Sequence, residues 1–432
     1  MARKIIGAKL SELHEFLKLE ESQLEEKKAR LFPQPKSKSE GATTSIFLAS
    51  LSAVKEYREY LLKQIGANKI SNRNVSIHVY TEIPNEDGSY RPDGLIVLSS
   101  GRNNPTIEWA CFVEAKVGSE TIKQEQIEAY IEFAQEIGVN SILSISNQIT
   151  AEPSNIPYST RKKKVELYHF SWPYLRVMST KLLKDEAIED EDHIYILEEL
   201  RRFFDQNRDI THFTNMGKEW KESAQAICEG SNSSPKVALE YVCQAYAQEE
   251  VDISLHLTDS TDLHVNLLLK RDEVREISIA DDLKNNNKIV TSSYYVNDDK
   301  NHKFDIEVDF NKKVVTYRTH VSIASGKAQA QTTRFLKMLE PAGKSDEIQV
   351  VAVYKQNKRS EVSSLSNLFD DKEAKPSRQY SIVDKEKGDE IKYFDVYIRQ
   401  ELHGDFTGQK NFIVKLEQGA ESFLNQVVAY SN

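Results

Sequence analysis

Cysteine is scarce. The chain has three, Cys111, Cys228 and Cys243, far apart and without a CxxC pair, which excludes a disulfide framework and a zinc ribbon and fits a reducing compartment. Long apolar runs are missing as well. No stretch approaches the ~20 apolar residues that a bilayer span needs, and the start, Met1-Ala2-Arg3-Lys4-Ile5-Ile6-Gly7, lacks the apolar run of a signal peptide. A cytoplasmic protein with no membrane association is expected. Positive charge is not in excess: 57 basic residues face 67 acidic ones, for a net charge of −10. The deficit is even, with 30 basic and 35 acidic residues up to residue 230 and 27 and 32 beyond it. Neither half is therefore a basic glove for a polyanion, and any nucleic-acid binding must rest on local patches and metal ions. The ten histidines are scattered without ligand spacing, which leaves zinc unsupported, and Ser325-Gly326-Lys327-Ala328 lacks the upstream glycine and following Ser or Thr of a phosphate-binding loop.

What is present is apolar bulk and periodicity. With 432 residues, 39% of them hydrophobic and including 17 Phe and 19 Tyr, the chain can fill two ordinary cores. Residues 8–31 read as one helix with Leu10, Leu13, Leu17 and Leu24 on one side, ending before Pro33. A second helix is expected from about Glu40 to Ile65. The period then changes to strands at Val75–Tyr80, Gly94–Leu98 and Thr106–Lys116, with turns at Asn85-Glu86-Asp87-Gly88 and Gly101-Arg102-Asn103-Asn104. A helix over about 119–137 stops at Gly138, and short strands follow at Ser141–Ser146 and Val165–Phe170. The predicted order is α-β-β-β-α-β, then a strand and helices.

The segment Gly230-Ser231-Asn232-Ser233-Ser234-Pro235 is small, polar and closed by proline, so a boundary is placed there, dividing the chain into domains 1–230 and 231–432. The second half reads as α+β. Its expected helices lie near 235–248, 327–339 and 420–430. Its expected strands are 251–257, 263–269, 304–310 paired with 314–321, 348–354 and 393–398.

The chemistry concentrates in Arg91-Pro92-Asp93-Gly94 and, after twenty intervening residues, Glu114-Ala115-Lys116. Residues two apart on a strand share a face, so Glu114 and Lys116 project together. In an antiparallel hairpin the start of the first strand lies opposite the end of the second, which places Asp93 beside them. Asp93, Glu114 and the backbone carbonyl of Ala115 make a partial octahedron for a hard cation, with Mg2+ the first choice and Mn2+ a substitute. A metal there can activate a water and neutralise charge on a phosphodiester, while Lys116 positions the water or stabilises the phosphate. The plainer reading of the trio is a surface salt-bridge cluster.

Pro92-Asp93 followed by Glu114-Ala115-Lys116, on this order of elements, resembles the PD-(D/E)XK nuclease superfamily over roughly residues 40–170. Gln126-Ile127-Glu128-Ala129-Tyr130 is similar to the QxxxY motif of its RecB-like branch. The resemblance implies a restriction-endonuclease-like α/β core, with Gln126 and Tyr130 holding the active site or the nucleic-acid strand near the metal. It also implies that Glu40 is a further metal ligand or positioning group. The plainer readings are a helix flank for Gln126 and Tyr130, because Ile127, Ile131 and Ala134 already mark the core-facing stripe, and a first-turn acid for Glu40. Arg161-Lys162-Lys163-Lys164 is either a phosphate-contacting patch or a solvated charge run, and core packing is expected of His169 and Trp172. The function so implied is a magnesium-dependent deoxyribonuclease, and a stand-alone nuclease of this build resembles restriction-type endonucleases and anti-phage defence effectors. Its alternatives are an RNase using the same residues and an inactive nuclease-fold assembly protein. A homodimer, or a partner protein engaged by the N-terminal helix or the C-terminal domain, is compatible with each.

Overall fold

The structure, a computed structural model, describes all residues except 1–3, 30–38, 119, 151, 161–163, 187, 208–209, 211–212, 231–235, 271–272, 375–378 and 432. Arg161, Lys162 and Lys163 of the basic run thus lie outside the described residues. The chain is mixed α/β with two sheets, in two compact units that divide between Phe213 and Thr214.

In the first unit, α1 (Leu13–Phe16) and α2 (Glu21–Glu26) precede α3 (Ser39–Ala53) and α4 (Lys55–Lys63). There follow β1 (Val75–Thr81), β2 (Gly94–Ser100), β3 (Thr106–Ala115), α5 (Gln124–Ile137), β4 (Ser141–Ser146), β5 (Glu166–Ser171), α6 (Trp172–Lys184) and α7 (Glu191–Gln206). The sheet order is β1-β2-β3-β4-β5, with β1, β2 and β3 antiparallel and β3, β4 and β5 parallel. Both faces of β3 and β4 are covered, which is why these strands read as near-continuous apolar runs. On one face α5 packs Ile127, Ile131 and Ala134 against Phe112, Leu95 and Val97. On the other, α3 crosses β2 so closely that a Cβ on Gly94 would come within 2.6 Å of the Leu48 side chain. Gly138 ends α5 in the left-handed region at φ 83°, where a residue without a Cβ carries no strain.

The N-terminal segment departs from the expected single helix over 8–31. It breaks after Leu17, Lys18 turns with φ 52°, and α2 starts afresh at Glu20, which shares a capping box with Gln23. Leu13, Leu17 and Leu24 are buried in the same core as α5, so this part of the apolar stripe packs within the unit.

The second unit contains α8 (Trp220–Glu229), α9 (Lys236–Ser260), β6 (Val265–Leu267), α10 (Arg275–Asn285), β7 (Ile289–Val296), β8 (Asp299–Asp309), β9 (Val314–Val321) and α11 (Ala328–Met338). It continues with β10 (Gln349–Tyr354), β11 (Ser363–Ser364), α12 (Leu365–Glu373), β12 (Ile391–Glu401) and α13 (Asn411–Gln426). Its sheet is antiparallel throughout, in the order β11-β10-β12-β9-β8-β7-β6. Alternation along β7, β8, β9 and β12 buries Tyr294, Phe304, Ile306, Tyr317 and Val396 on one face and turns Ser293, Glu307, Arg318 and Tyr397 to the other.

Three expectations are corrected here. Residues 214–230 pack with the second unit rather than the first, because Trp220 of α8 packs tilted against Phe412 with ring centroids 5.0 Å apart and lies against Phe310. The expected strand at 251–257 is the end of α9, whose burial around most of its girth removes the apolar stripe that marks a surface helix. The last helix begins at Asn411, nine residues before the expected start at 420.

Candidate functional site

The site forms where the end of β3, the loop entering β2 and the start of α3 meet. The register sets Gly94 opposite Val113, so the residue before Gly94 lies level with Glu114. Asp93 Oδ2 accepts the Ala115 backbone N–H at 2.8 Å, which locks the hairpin mouth. Lys116 is held by its own backbone at both ends: its N–H donates to the Ile145 carbonyl at 2.7 Å, and its carbonyl accepts the Trp172 indole N–H at 2.8 Å.

One ammonium ties the cluster together. Lys116 Nζ lies 2.6 Å from Glu114 Oε1, 3.2 Å from Glu40 Oε1 and 3.0 Å from the Ala115 carbonyl. A single cationic group thus engages the three oxygen donors that the sequence singles out beside Asp93. Glu114 is 1% exposed, and its Oε2 has no hydrogen-bond partner. The Tyr130 hydroxyl stands next to that carboxyl and also lies 3.2 Å from the Arg91 carbonyl, while Gln126 Nε2 donates to the Tyr130 oxygen at 3.0 Å. Gln126 and Tyr130 therefore share a helix face, as their spacing requires, and they fasten the Arg91-Pro92-Asp93 loop to α5.

The electrostatics are those of crowded acids. Burial, followed by the charge of Glu114, raises the Asp93 carboxyl to about 8, and burial raises Glu114 against the opposing pull of Lys116. Burial would lower Lys116, but Glu114, Asp93 and Glu40 outweigh it and hold the ammonium charged. Tyr130 is raised by burial and by Glu114. Three carboxyl groups share one ammonium.

This all-oxygen donor set fits a hard divalent cation such as Mg2+ or Mn2+: Asp93, Glu114 and the Ala115 carbonyl would hold it, with Glu40 at the margin. Among the described residues no three His, Cys, Asp or Glu side chains already stand together as a metal-holding group.

Each residue singled out in the sequence for this site lies in or against it. His169 is a satisfied core residue, bonded to Ser144 and to the Gln148 carbonyl at 2.8 Å, and burial lowers it to about 4. Sequence reasoning gave Trp172 to the core and missed its grip on the Lys116 carbonyl. No local signal links two residues 56 positions apart. Comparison with protein-family models, with curated proteins and with solved structures yields no match. Among the described residues no helix is long and apolar enough to cross a membrane.

Proposed function

We propose that the first unit is a divalent-metal-dependent nuclease of the PD-(D/E)XK kind, acting on phosphodiester bonds in DNA. The observation that carries this reading is the meeting of Asp93, Glu114, Glu40 and the Ala115 carbonyl around the ammonium of Lys116, at the mouth of an antiparallel hairpin backed by a helix with Gln126 and Tyr130.

When bound, the metal ion supplies Lewis-acid activation of a water and neutralisation of charge on the phosphate. Asp93, Glu114 and the Ala115 carbonyl would hold it, and Glu40 would add a further negative charge. The Lys116 ammonium, set among these carboxylates, would orient the attacking water or stabilise a phosphate oxygen. Tyr130 and Gln126 fix the loop that carries Asp93. Trp172 fixes the backbone of Lys116, so that the lysine approaches from a set origin.

The test is incubation of the purified chain with plasmid and Mg2+ or Mn2+, beside Asp93→Ala and Lys116→Ala. Cleavage by the wild type and loss in both variants is expected. Cutting that persists in both would overturn the assignment of the site. Parallel digests of duplex DNA, single-stranded DNA and RNA identify the substrate, and RNA-only cleavage would overturn the DNA reading.

A further inference from the structure

The helices of the second unit cover one face of its sheet. Among the described residues they meet it through the core-facing set: the Tyr246 hydroxyl of α9 lies 3.2 Å from Ser292 Oγ, Phe335 of α11 stacks on Phe394 with ring centroids 4.2 Å apart, and Phe423 of α13 packs on Phe304 and Tyr317. The alternate residues of β7, β8, β9 and β12 point the other way. Small polar and charged residues are what a sheet face turned to water normally carries. This one also holds three half-buried tyrosines, Tyr295, Tyr393 and Tyr397.

Each ring has a cation beside it. Lys300 Nζ lies 5.9 Å from the Tyr295 centroid, the Arg318 guanidinium 5.5 Å from that of Tyr397, and Lys392 Nζ 5.7 Å from that of Tyr393, whose ring also packs 4.5 Å from the His320 imidazole. The register gathers them into one patch. Tyr295 lies opposite Lys303 of β8, and Arg318 of β9 lies opposite both Asp305 of β8 and Tyr397 of β12. From β7 to β12 is three strand spacings, about 14 Å.

The acids of the patch are engaged. Asp395, 1% exposed, is paired with Arg359 and lies 3.2 Å from Arg318 Nε; Glu307 Oε1 accepts from Arg318 Nη1 at 2.8 Å, and Asp305 Oδ1 accepts from Ser293 Oγ at 2.6 Å. Its lysines are not. Among the described residues Lys300, Lys303 and Lys392 make no salt bridge with a carboxylate, and Lys392 Nζ donates instead to the Asn357 amide oxygen at 3.4 Å. A chain of net charge −10 thus sets unpaired ammonium groups around exposed aromatic faces at one place.

We propose that this face of the second unit binds a single strand of nucleic acid, its bases stacking on Tyr295, Tyr393 and Tyr397 and its phosphates meeting Lys300, Lys303 and Lys392. Stacking requires unpaired bases, which a duplex does not offer, and every base has a ring face, so binding tolerates sequence change. Glu307 and Asp395 fix Arg318, which in turn steadies the Tyr397 ring. The inference concerns the second unit and does not rest on the nuclease reading of the first.

The test uses the full chain carrying Glu114→Gln, in EDTA so that no cleavage intervenes, with labelled oligodeoxythymidine, oligouridine and a blunt DNA duplex, each of about 15 nucleotides per strand. Fluorescence anisotropy should show a single strand bound with an affinity that falls as salt rises, and the two single-stranded arms distinguish DNA from RNA as its source. Tyr393→Ala and Tyr397→Ala should each weaken binding roughly five- to 150-fold, while Tyr393→Phe and Tyr397→Phe should retain it. Lys303→Met should reduce the slope of log affinity against log salt by about 0.7, the effect of one lost phosphate contact. Lys303 is exposed, so its variant probes the patch even where an alanine variant fails to fold. No binding of either single strand, equally tight binding of the blunt duplex, or single-strand binding unchanged by the alanine and methionine substitutions would overturn the proposal.

Discussion

Lys116→Met removes the one ammonium that serves the buried Glu114 and replaces it with a side chain of similar reach. At 2.6 Å the gross attraction of the pair is about 6 kcal/mol for an effective dielectric of ~20, against which the dehydration of both groups must be set. A second route gives a firmer limit. Without Lys116, Glu114 escapes an unpaired buried charge by taking up a proton. Holding that proton at pH 7 against an ordinary carboxyl pKa of about 4.3 costs about 3–4 kcal/mol, and at pH 5 about 1 kcal/mol. The sign follows from linkage: the unfolded variant releases this proton above about pH 4.3 while the folded one keeps it, so the variant loses stability as pH rises. For a unit of this size the deficit at pH 7 corresponds to a melting point about 10 °C lower. Saturating Mn2+, at about a hundredfold over its Kd, would return about 2.7 kcal/mol by occupying the carboxylates that the lysine vacates. The assay is thermal unfolding of wild type and variant at pH 5 and pH 7, with and without Mn2+. A variant that melts with the wild type at pH 7, or whose deficit is the same at both pH values, would show that Lys116 does not hold the Glu114 charge and would refute the reasoning.

Four further outcomes are expected. Tyr130→Phe frees the Arg91 carbonyl and costs about 1 kcal/mol of stability, while loosening the Asp93 loop enough to lower cleavage about tenfold; denaturant titration and initial rates measure the two effects. Trp172→Phe keeps an aromatic ring but leaves the Lys116 carbonyl without its donor, so a loss of about 1–3 kcal/mol is expected in urea unfolding. Glu249 is raised well above an ordinary carboxyl, by burial first and then by Asp252 and Glu417. It keeps its proton in the folded state, and stability should fall as pH climbs above about 4.3; Glu249→Gln should flatten that decline in unfolding curves recorded from pH 4 to pH 8. Gly419→Ala would set a Cβ on the Tyr317 hydroxyl, which donates to the Leu416 carbonyl at 3.0 Å, so overpacking of about 1–3 kcal/mol should appear in its melting curve.

The parts of the fold that were legible are those written in short-range pattern. The β2–β3 hairpin follows from its apolar strands around the Gly101 turn, and α5 ends at Gly138 because glycine alone takes that conformation without strain. The site was legible for the same reason: a two-residue strand spacing and a four-residue helix spacing carry Glu114 with Lys116 and Gln126 with Tyr130. What escaped depends on tertiary surroundings. The end of α9 alternates Val251, Ile253, Leu255 and Leu257 like a strand, and only burial by the sheet on one side and α10 and α13 elsewhere makes it a helix. β7 carries Thr291, Ser292 and Ser293 at its centre, residues that read as loop until Ser292 is seen bonded to Glu250. The capping box at Glu20 that restarts the N-terminal helix, and the indole that grips Lys116, are contacts that no spacing announces.

The rims of the two sheets also have a consequence for behaviour in concentrated solution. In the second unit the outermost strands are β11 and β6, two and three residues long, so each side exposes little backbone on which another molecule could build a strand. In the first, β1 is partly shielded by its own N-terminal segment, where Lys28 bridges Tyr80 and the Ala29 N–H donates to the Val79 carbonyl. Self-association by strand addition is thereby discouraged at three of the four rims, and trimming the chain before residue 30 should uncover one of them and promote aggregation.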